Sequence, residues 1–396
     1  MLGYALKYMF SRRTDWKLTP NRFTEAQRKL EASGREVLDL TVSNPTRVGF
    51  EHDKTIFQSL LNPQALDYDP QPKGLLSARE AVAAYYREQY PEVEFDPESL
   101  LLTTSTSEGY TYIFRLLCNP GDEILVPKPS YPLFEFLADL QDIKLVPYPL
   151  IYDHGWQIDF PSLYQSVNPR TRAVVAVHPN NPTGSYVSES ERGALNQFCR
   201  ENSLALIVDE VFLDYSLNGI RRPTFAANPG ALTFTLSGLS KISALPQMKL
   251  AWVVTSGPAN QVHAAVQRLE VIADTYLSVN APIQLATPVL LEQRKIVQPF
   301  LLERARGNLA ELDRQLAKQQ TCVRLDVEGG WYAVLRVPVT LSDEELAIAI
   351  MQNLSVLVHP GHFFDFTSDG YLIVSLITRT QEFSEGIKRL LGFLNL

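Results

Sequence analysis

TRAVVAVHPNNPTGSYVSESERGALNQFCRENSLALIVDEVF, residues 171–212, places two short apolar runs on either side of a helical stretch. AVVAVH (173–178) and LALIVDE (204–210) are near-continuous in apolar, β-prone residues. They do not alternate, which is the pattern of strands covered on both faces. Between them Ser188-x-x-Glu191 forms a capping box, which predicts a helix over 188–202. The same texture extends in both directions. LLTT (101–104), EILVP (123–127), TFTLSG (233–238) and LAWVVTS (250–256) are further strand candidates, with a helix over 107–117 after the first. The expected fold class is α/β: a large domain with a mostly parallel sheet covered by helices on both faces. Such sheets bind ligands in the crevice at the carboxyl ends of their strands, so chemistry is to be sought in the loops that follow each run.

The last third reads differently. A long helix over about 297–319 leads to CVRLDV, Gly329-Gly330 and WYAVLRVP. A helix opening at Ser342-x-x-Glu345, the run YLIVSLI and a closing helix near 381–394 follow. This predicts a smaller α+β domain, a strand pair with helices on one side. The N-terminal segment, with a helix near 24–33 and a strand near 37–42, is too short to fold alone and is expected to pack on that smaller domain. The expected division is 1–53 for this segment, 54–289 for the large domain and 290–396 for the small C-terminal domain. No internal repeat, low-complexity tract or Gly/Ser linker interrupts it.

Length and composition narrow the function classes. A chain of 396 residues implies two to three units at roughly 150 residues each. With 45% apolar and 20% charged residues, disorder, collagen and coiled coil are excluded. A net charge of −8 without a Lys/Arg block argues against nucleic-acid and anionic-membrane partners. No apolar run approaches the ~18 residues of a spanning helix. The opening MLGYALKYMF raises the question of an export signal. Its basic pair, Arg12–Arg13, follows the apolar stretch and no small-residue cleavage site comes after, so a cytoplasmic protein is expected. Cys118, Cys199 and Cys322 are odd in number and far apart, which fits reduced thiols. With neither CxxC nor HExxH, no metal site is expected.

The strand-end loops carry the candidate chemistry. After LLTT, Ser105-Thr106-Ser107 opens a helix, where hydroxyls and backbone N–H groups suit a phosphate; a plain cap at Ser107 is the simpler use. Tyr131 stands between Pro129-Ser130 and Pro132, a rigidly presented ring or a lid on the core. His178-Pro179-Asn180-Asn181-Pro182-Thr183-Gly184 holds an amide pair in a turn, for which a plain Pro/Gly turn is the simpler use. Asp209-Glu210 places two carboxylates at the end of a buried strand, costly unless partnered. Leu239-Ser240-Lys241 follows the next strand and offers an amine. Singly, each has an ordinary structural explanation. Together they place a lysine, an aspartate, an asparagine, an aromatic ring and a phosphate cradle along one sheet edge. Pyridoxal 5'-phosphate needs that set: a lysine to form a Schiff base, an acid to keep the pyridine nitrogen protonated, an amide for the ring hydroxyl, a ring to stack and donors for phosphate.

These residues resemble the class I/II pyridoxal-phosphate-dependent aminotransferases of fold type I, the aspartate/alanine aminotransferase-like group. The matching pieces are YDPQPKGLLSAREAVAAYY (68–86), STSEG, PGDEILVPKPSYP, HPNNPTG, VDEVF, SGLSK and EGIKRL, in family order over nearly the whole chain. The resemblance implies that Lys241 forms the internal aldimine and shuttles a proton, that Asp209 pairs with the pyridine nitrogen, and that Asn181 bonds the ring oxygen. It further implies that Tyr131 stacks on the ring, and that Ser105, Thr106, Ser107 and Ser240 hold the phosphate. Tyr68 matches a tyrosine that reaches the phosphate from the neighbouring subunit, implying a homodimer with the site at its interface. Substrates would be an amino acid and a 2-oxo acid, processed in a ping-pong cycle.

Four positions depart from the family pattern. Phe212 stands where a tyrosine usually bonds the ring oxygen, which should keep the aldimine protonated to higher pH. Gly238 replaces a serine. Lys249 replaces a phosphate-gripping arginine, keeping charge but losing the bidentate fork. Ile373, in GYLIVS, replaces the arginine that clamps the substrate carboxylate. Arg379 shares its strand parity but lies ~20 Å along an extended chain; Arg47 and Arg336 are the other candidates, each as readily an ordinary surface arginine. The gap at Ile373 admits two alternatives to an aminotransferase: a β-eliminating or decarboxylating lyase on the same fold, and more remotely a non-catalytic cofactor-holding module. Trp16, Phe23, Trp331 and Tyr332 are candidate pocket aromatics for which a core position is the simpler expectation.

Overall fold

The computed structural model describes residues 9–94 and 96–395. The apolar opening stretch through Tyr8 lies outside the described residues. An eight-stranded sheet forms the large domain. Its order is Leu100–Thr103, Ala251–Ser256, Thr233–Gly238, Ala205–Asp209, Thr171–Val177, Glu123–Lys128, Lys144–Tyr152 and Trp156–Ile158. Ala251–Ser256 and Trp156–Ile158 run against the other strands.

The continuous apolar runs are explained by burial on both faces. Val174 and Ala176 pack with Leu206, Val208 and the helix residues Leu195 and Phe198. Ala173, Val175 and Val177 pack on the other face with Ile207, Ile113, Phe114 and Leu137. Each buried Val, Leu, Ile or Phe among them contributes about 1.5–3 kcal/mol, so a charged residue at Val175 would break the sheet at its centre. The capping box forms as read: the Ser188 hydroxyl accepts from Glu191 N–H at 3.3 Å, and Ser188 N–H donates to the Glu191 carboxylate at 2.8 Å. The helix it opens, Glu189–Asn202, ends on Ser203 in a left-handed conformation.

The smaller sheet has four antiparallel strands, not the expected pair: Val323–Arg324, Tyr332–Arg336, Tyr371–Ser375 and His359–Pro360. His359–Pro360 is two residues long and too brief to leave a pattern. Leu38–Asp39 pairs in parallel with Val356–Leu357, and Phe23, Ala26 and Leu30 of helix Arg22–Ala32 join the core of this sheet. Lys144–Tyr152 was not expected as a strand. Pro147 and Pro149 disguise it, and it is held by the parallel pairing with Glu123–Lys128. Among the described residues no helix is long and apolar enough to cross a membrane, and all three cysteines are unpaired.

Candidate active site

The register of three parallel strands builds the floor of the site. Val177 lies opposite Asp209, and Asp209 opposite Leu236, two residues before Gly238 ends its strand. Asp209 Oδ1 accepts from the Val211 N–H at 3.1 Å, and Oδ2 accepts from the Tyr110 hydroxyl at 3.2 Å. Tyr110 lies one turn after Thr106 in helix Thr106–Leu117, so the two share a face. The short helix Leu239–Ile242 then turns Lys241 toward the same space, and the Tyr215 hydroxyl donates to the Lys241 carbonyl at 2.7 Å. The Lys241 Nζ lies 4.8 Å from the Trp331 ring centre and 5.3 Å from that of Phe212.

Ser43, Thr106, Tyr110, Tyr131, Phe134, Val177, Asn181, Asp209, Val211, Phe212, Ser240, Lys241 and Tyr332 line one cavity of about 170 Å³. Asn181 sits in the turn closed by Gly184 at φ +70°, where a Cβ would come within 2.4 Å of the Gly329 carbonyl. Only glycine lets this turn of the large domain seat on the Gly329 loop. The Asn181 amide oxygen is buried with no hydrogen-bond partner.

Burial pushes the Asp209 carboxyl up to about 6, against its bonds from Val211 and Tyr110 and the Lys241 charge. Burial pulls the Lys241 amine down to about 8, and Asp209 opposes that shift. At neutral pH the pair is therefore still predominantly charged, yet close enough to neutrality for the lysine to release and regain a proton. Its neighbour Glu210 serves the fold: it accepts from the Thr224 hydroxyl and the Phe225 N–H, both at 2.6 Å, and burial raises it to about 8.

Of the residues singled out from sequence, Lys241, Asp209, Tyr131, Asn181, Thr106 and Ser240 share the cavity. Ser105, Ser107, Lys249 and Tyr68 are not among its lining. Ser105, not Ser107, is the helix cap, its hydroxyl accepting from Glu108 N–H at 3.2 Å. Lys249 is exposed in a left-handed turn, and Tyr68 is 78% exposed. Tyr110, Phe134, Val177 and Val211 were missed, whereas Ser43 belongs to the Ser43-Asn44-Pro45 stretch that resembles the family's active-site N-terminal loop. Tyr110 alone left a signal, its one-turn spacing from Thr106. Tyr332, given to the core by sequence, lines the cavity, and the Ser43 hydroxyl bears on its buried phenol.

Two departures gain a physical reading. A Cβ at Gly238 would meet that of Ala251 at 2.8 Å, so this backbone has no room for the serine of the family pattern. Ile373 is fully buried between Val334 and His359 in the small sheet. The strand stops at Ser375, so Arg379 never continues its parity: it precedes helix Thr380–Leu394 and lies 3.6 Å from where a Gly49 Cβ would stand. Arg336 lines a separate cavity with Lys128 and Asp365, and Arg47 is exposed. No arginine is among the residues lining the Lys241 cavity.

The donor set fits pyridoxal phosphate: an amine and a carboxylate from adjacent strand ends, hydroxyls at Thr106 and Ser240, and the Asn181 amide, whose N–H would donate to the ring oxygen. Fold and site together define a fold type I aminotransferase. The family model for class I and II aminotransferases matches residues 36–390, and the chain belongs to that family as a pyridoxal-phosphate-dependent transaminase. It is 28% identical over 379 residues to the glutamate-pyruvate aminotransferase AlaA of Haemophilus influenzae, covering 93% of each chain. It is 30% identical over 277 residues to AlaA of Escherichia coli K12, covering 69% of this chain and 68% of the other. The solved alanine aminotransferase of Pyrococcus furiosus superposes with a TM-score of 0.88 at 22% identity, over 98% and 99% of the two chains, a likeness of fold. These relatives are named aminotransferases, and neither the lyase nor the cofactor-holding alternative is retained.

Proposed function

We propose that this transaminase takes the amino group from a small or modestly apolar α-amino acid and passes it to a 2-oxo acid in two half-reactions, with Lys241 as the proton-moving group. The observation that carries the reading is the convergence of the Lys241 amine and the Asp209 carboxylate on one cavity. When bound, pyridoxal phosphate supplies an aldehyde that condenses with amines and a ring that draws electrons from the substrate Cα. Lys241 would hold the cofactor and, with burial lowering its amine to about 8, would take and return the Cα proton. Asp209 would keep the pyridine nitrogen protonated by its opposite charge, and the Tyr110 hydroxyl holds that carboxylate in place. Tyr131 would cover the ring, the Asn181 amide N–H would donate to its oxygen, and Thr106 and Ser240 would hold the phosphate, with Ser105, Ser107 and Lys249, outside the cavity lining, as the further candidates for it.

Val177, Val211, Phe134 and Phe212 give the cavity apolar walls, which supports a small apolar side chain. The names of the relatives make alanine as donor with the 2-oxo acid of glutamate as acceptor, and the reverse exchange of glutamate with pyruvate, the first pairs to try. Phe57, Leu61, Leu66 and Tyr68 are exposed in one stretch, which supports a homodimer in which Tyr68 reaches the partner's phosphate site. The unpaired cysteines support a cytoplasmic home. The division 1–53, 54–289 and 290–396 is proposed as the domain plan.

The test is to mix cofactor-loaded protein with single amino acids and no oxo acid. The cofactor's visible absorbance should convert to that of its amine form, and pyruvate should restore it. No spectral change with any amino acid overturns the reading; pyruvate and ammonia release, or carbon dioxide release, turns it into a lyase.

A further inference from the structure

Trp331 is core by exposure, at 1%, yet its ring faces the catalytic amine. The Phe212 ring meets Trp331 edge-on at 5.1 Å and 71°, and the Tyr215 ring does so at 5.0 Å and 78°. Tyr215 also holds the backbone of Lys241 through its hydroxyl, so one aromatic cluster grips both ends of the lysine. The preceding loop is equally confined: a Cβ at Gly329 would strike Tyr186 at 2.6 Å.

We propose that Trp331 is a positioning residue for the Lys241 amine, its indole and the Phe212 ring forming an aromatic cradle that holds the charged ammonium at the cofactor cavity. The proposal rests on the reading of Lys241 as the catalytic amine. An aromatic ring attracts a cation through its electron-rich face, most strongly where water is excluded. A lysine has many rotamers to lose, and two rings within reach of its Nζ favour the few that point into the cavity. Phe212 then has a use in place of the family tyrosine: it offers a ring without a hydroxyl to compete for the amine. The other groups facing this space are the Asp209 carboxylate and the phenols of Tyr110, Tyr131 and Tyr332. Asp209 and the cradle favour the ammonium, and burial opposes it.

The test uses purified full-length protein freed of cofactor. Pyridoxal phosphate is added, and the rate at which its aldehyde joins Lys241, with loss of one water, is followed by visible absorbance from pH 6 to 10. The rate rises as the amine loses its proton. Trp331→Leu should lower the midpoint of that profile by about one pH unit, and Trp331→Phe, which keeps a ring, by clearly less. Circular dichroism controls for folding. An unmoved midpoint in folded Trp331→Leu, or equal shifts in the two variants, overturns the proposal. If Trp331→Leu does not fold, Phe212→Leu removes the other ring, and a midpoint unchanged there overturns it equally. A wild-type protein that forms no visible band sinks the transaminase reading instead.

Discussion

Thr106, Tyr131, Asn181, Asp209, Ser240 and Lys241 enter the cavity from strand ends of the eight-stranded sheet and from the loops and helix starts that follow them, and all are polar or bear a hydroxyl. From the N-terminal segment and the four-stranded sheet come Ser43 and Tyr332, while Ile373, where the family pattern has its carboxylate-binding arginine, is packed into the small-sheet core. The first wall keeps the parts that any amino-group transfer through this cofactor needs. The second has isoleucine at the position where the family pattern places that arginine. On the proposed reading, reaction type and substrate choice reside on different sheets of one site, and one can change without the other.

The largest test of that contrast is on the first wall. Lys241→Ala should abolish the cofactor's visible band and lower turnover by about 10³-fold or more; absorbance and steady-state rates check it, and a retained band would remove the assignment. The seam between the walls comes next. Gly184→Ala forces a Cβ against Gly329 at positive φ and should cost about 2–4 kcal/mol, read as a fall in denaturant midpoint. The third concerns Glu210, beneath the first wall. Its folded value near 8 lies above the ordinary carboxyl value, so the stability it contributes is full below about pH 4.5 and is lost as pH rises toward 8. Glu210→Gln should therefore melt progressively higher relative to wild type between pH 5 and pH 8; a constant difference would contradict the buried neutral acid. The smallest effect belongs to the second wall. Tyr332→Phe should raise KM for the amino acid several-fold with kcat little changed, the size of one lost hydrogen bond. A fall in kcat instead would place Tyr332 with the chemistry.

The strand-end loops were legible because their chemistry is local. NNPTG, DEVF and SGLSK each combine a turn or a strand end with a reactive or polar side chain. The Lys144–Tyr152 strand was not legible, because its prolines contradict the local pattern and neighbouring strands hold it. Tyr332 and Trp331 were weighed as core, and burial statistics favour that; nothing near them in sequence says that one lines the cavity and the other faces Lys241. The parity argument for Arg379 failed because the strand stops at Ser375, before the residue is reached.

The chain alone carried the α/β class, the strand-end placement of Lys241, Asp209 and Asn181, and the absence of the usual arginine at 373. Apolar continuity, cap chemistry and short motifs act over a few residues, and they survive in a linear reading. Folding chose which distant groups share the cavity: Ser43, Tyr110 and Tyr332 at its wall, Trp331 against the amine, Arg336 and Arg379 elsewhere. Those choices depend on strand register, on where each strand ends and on how the small sheet packs against the large one, and they are made by contacts hundreds of residues apart.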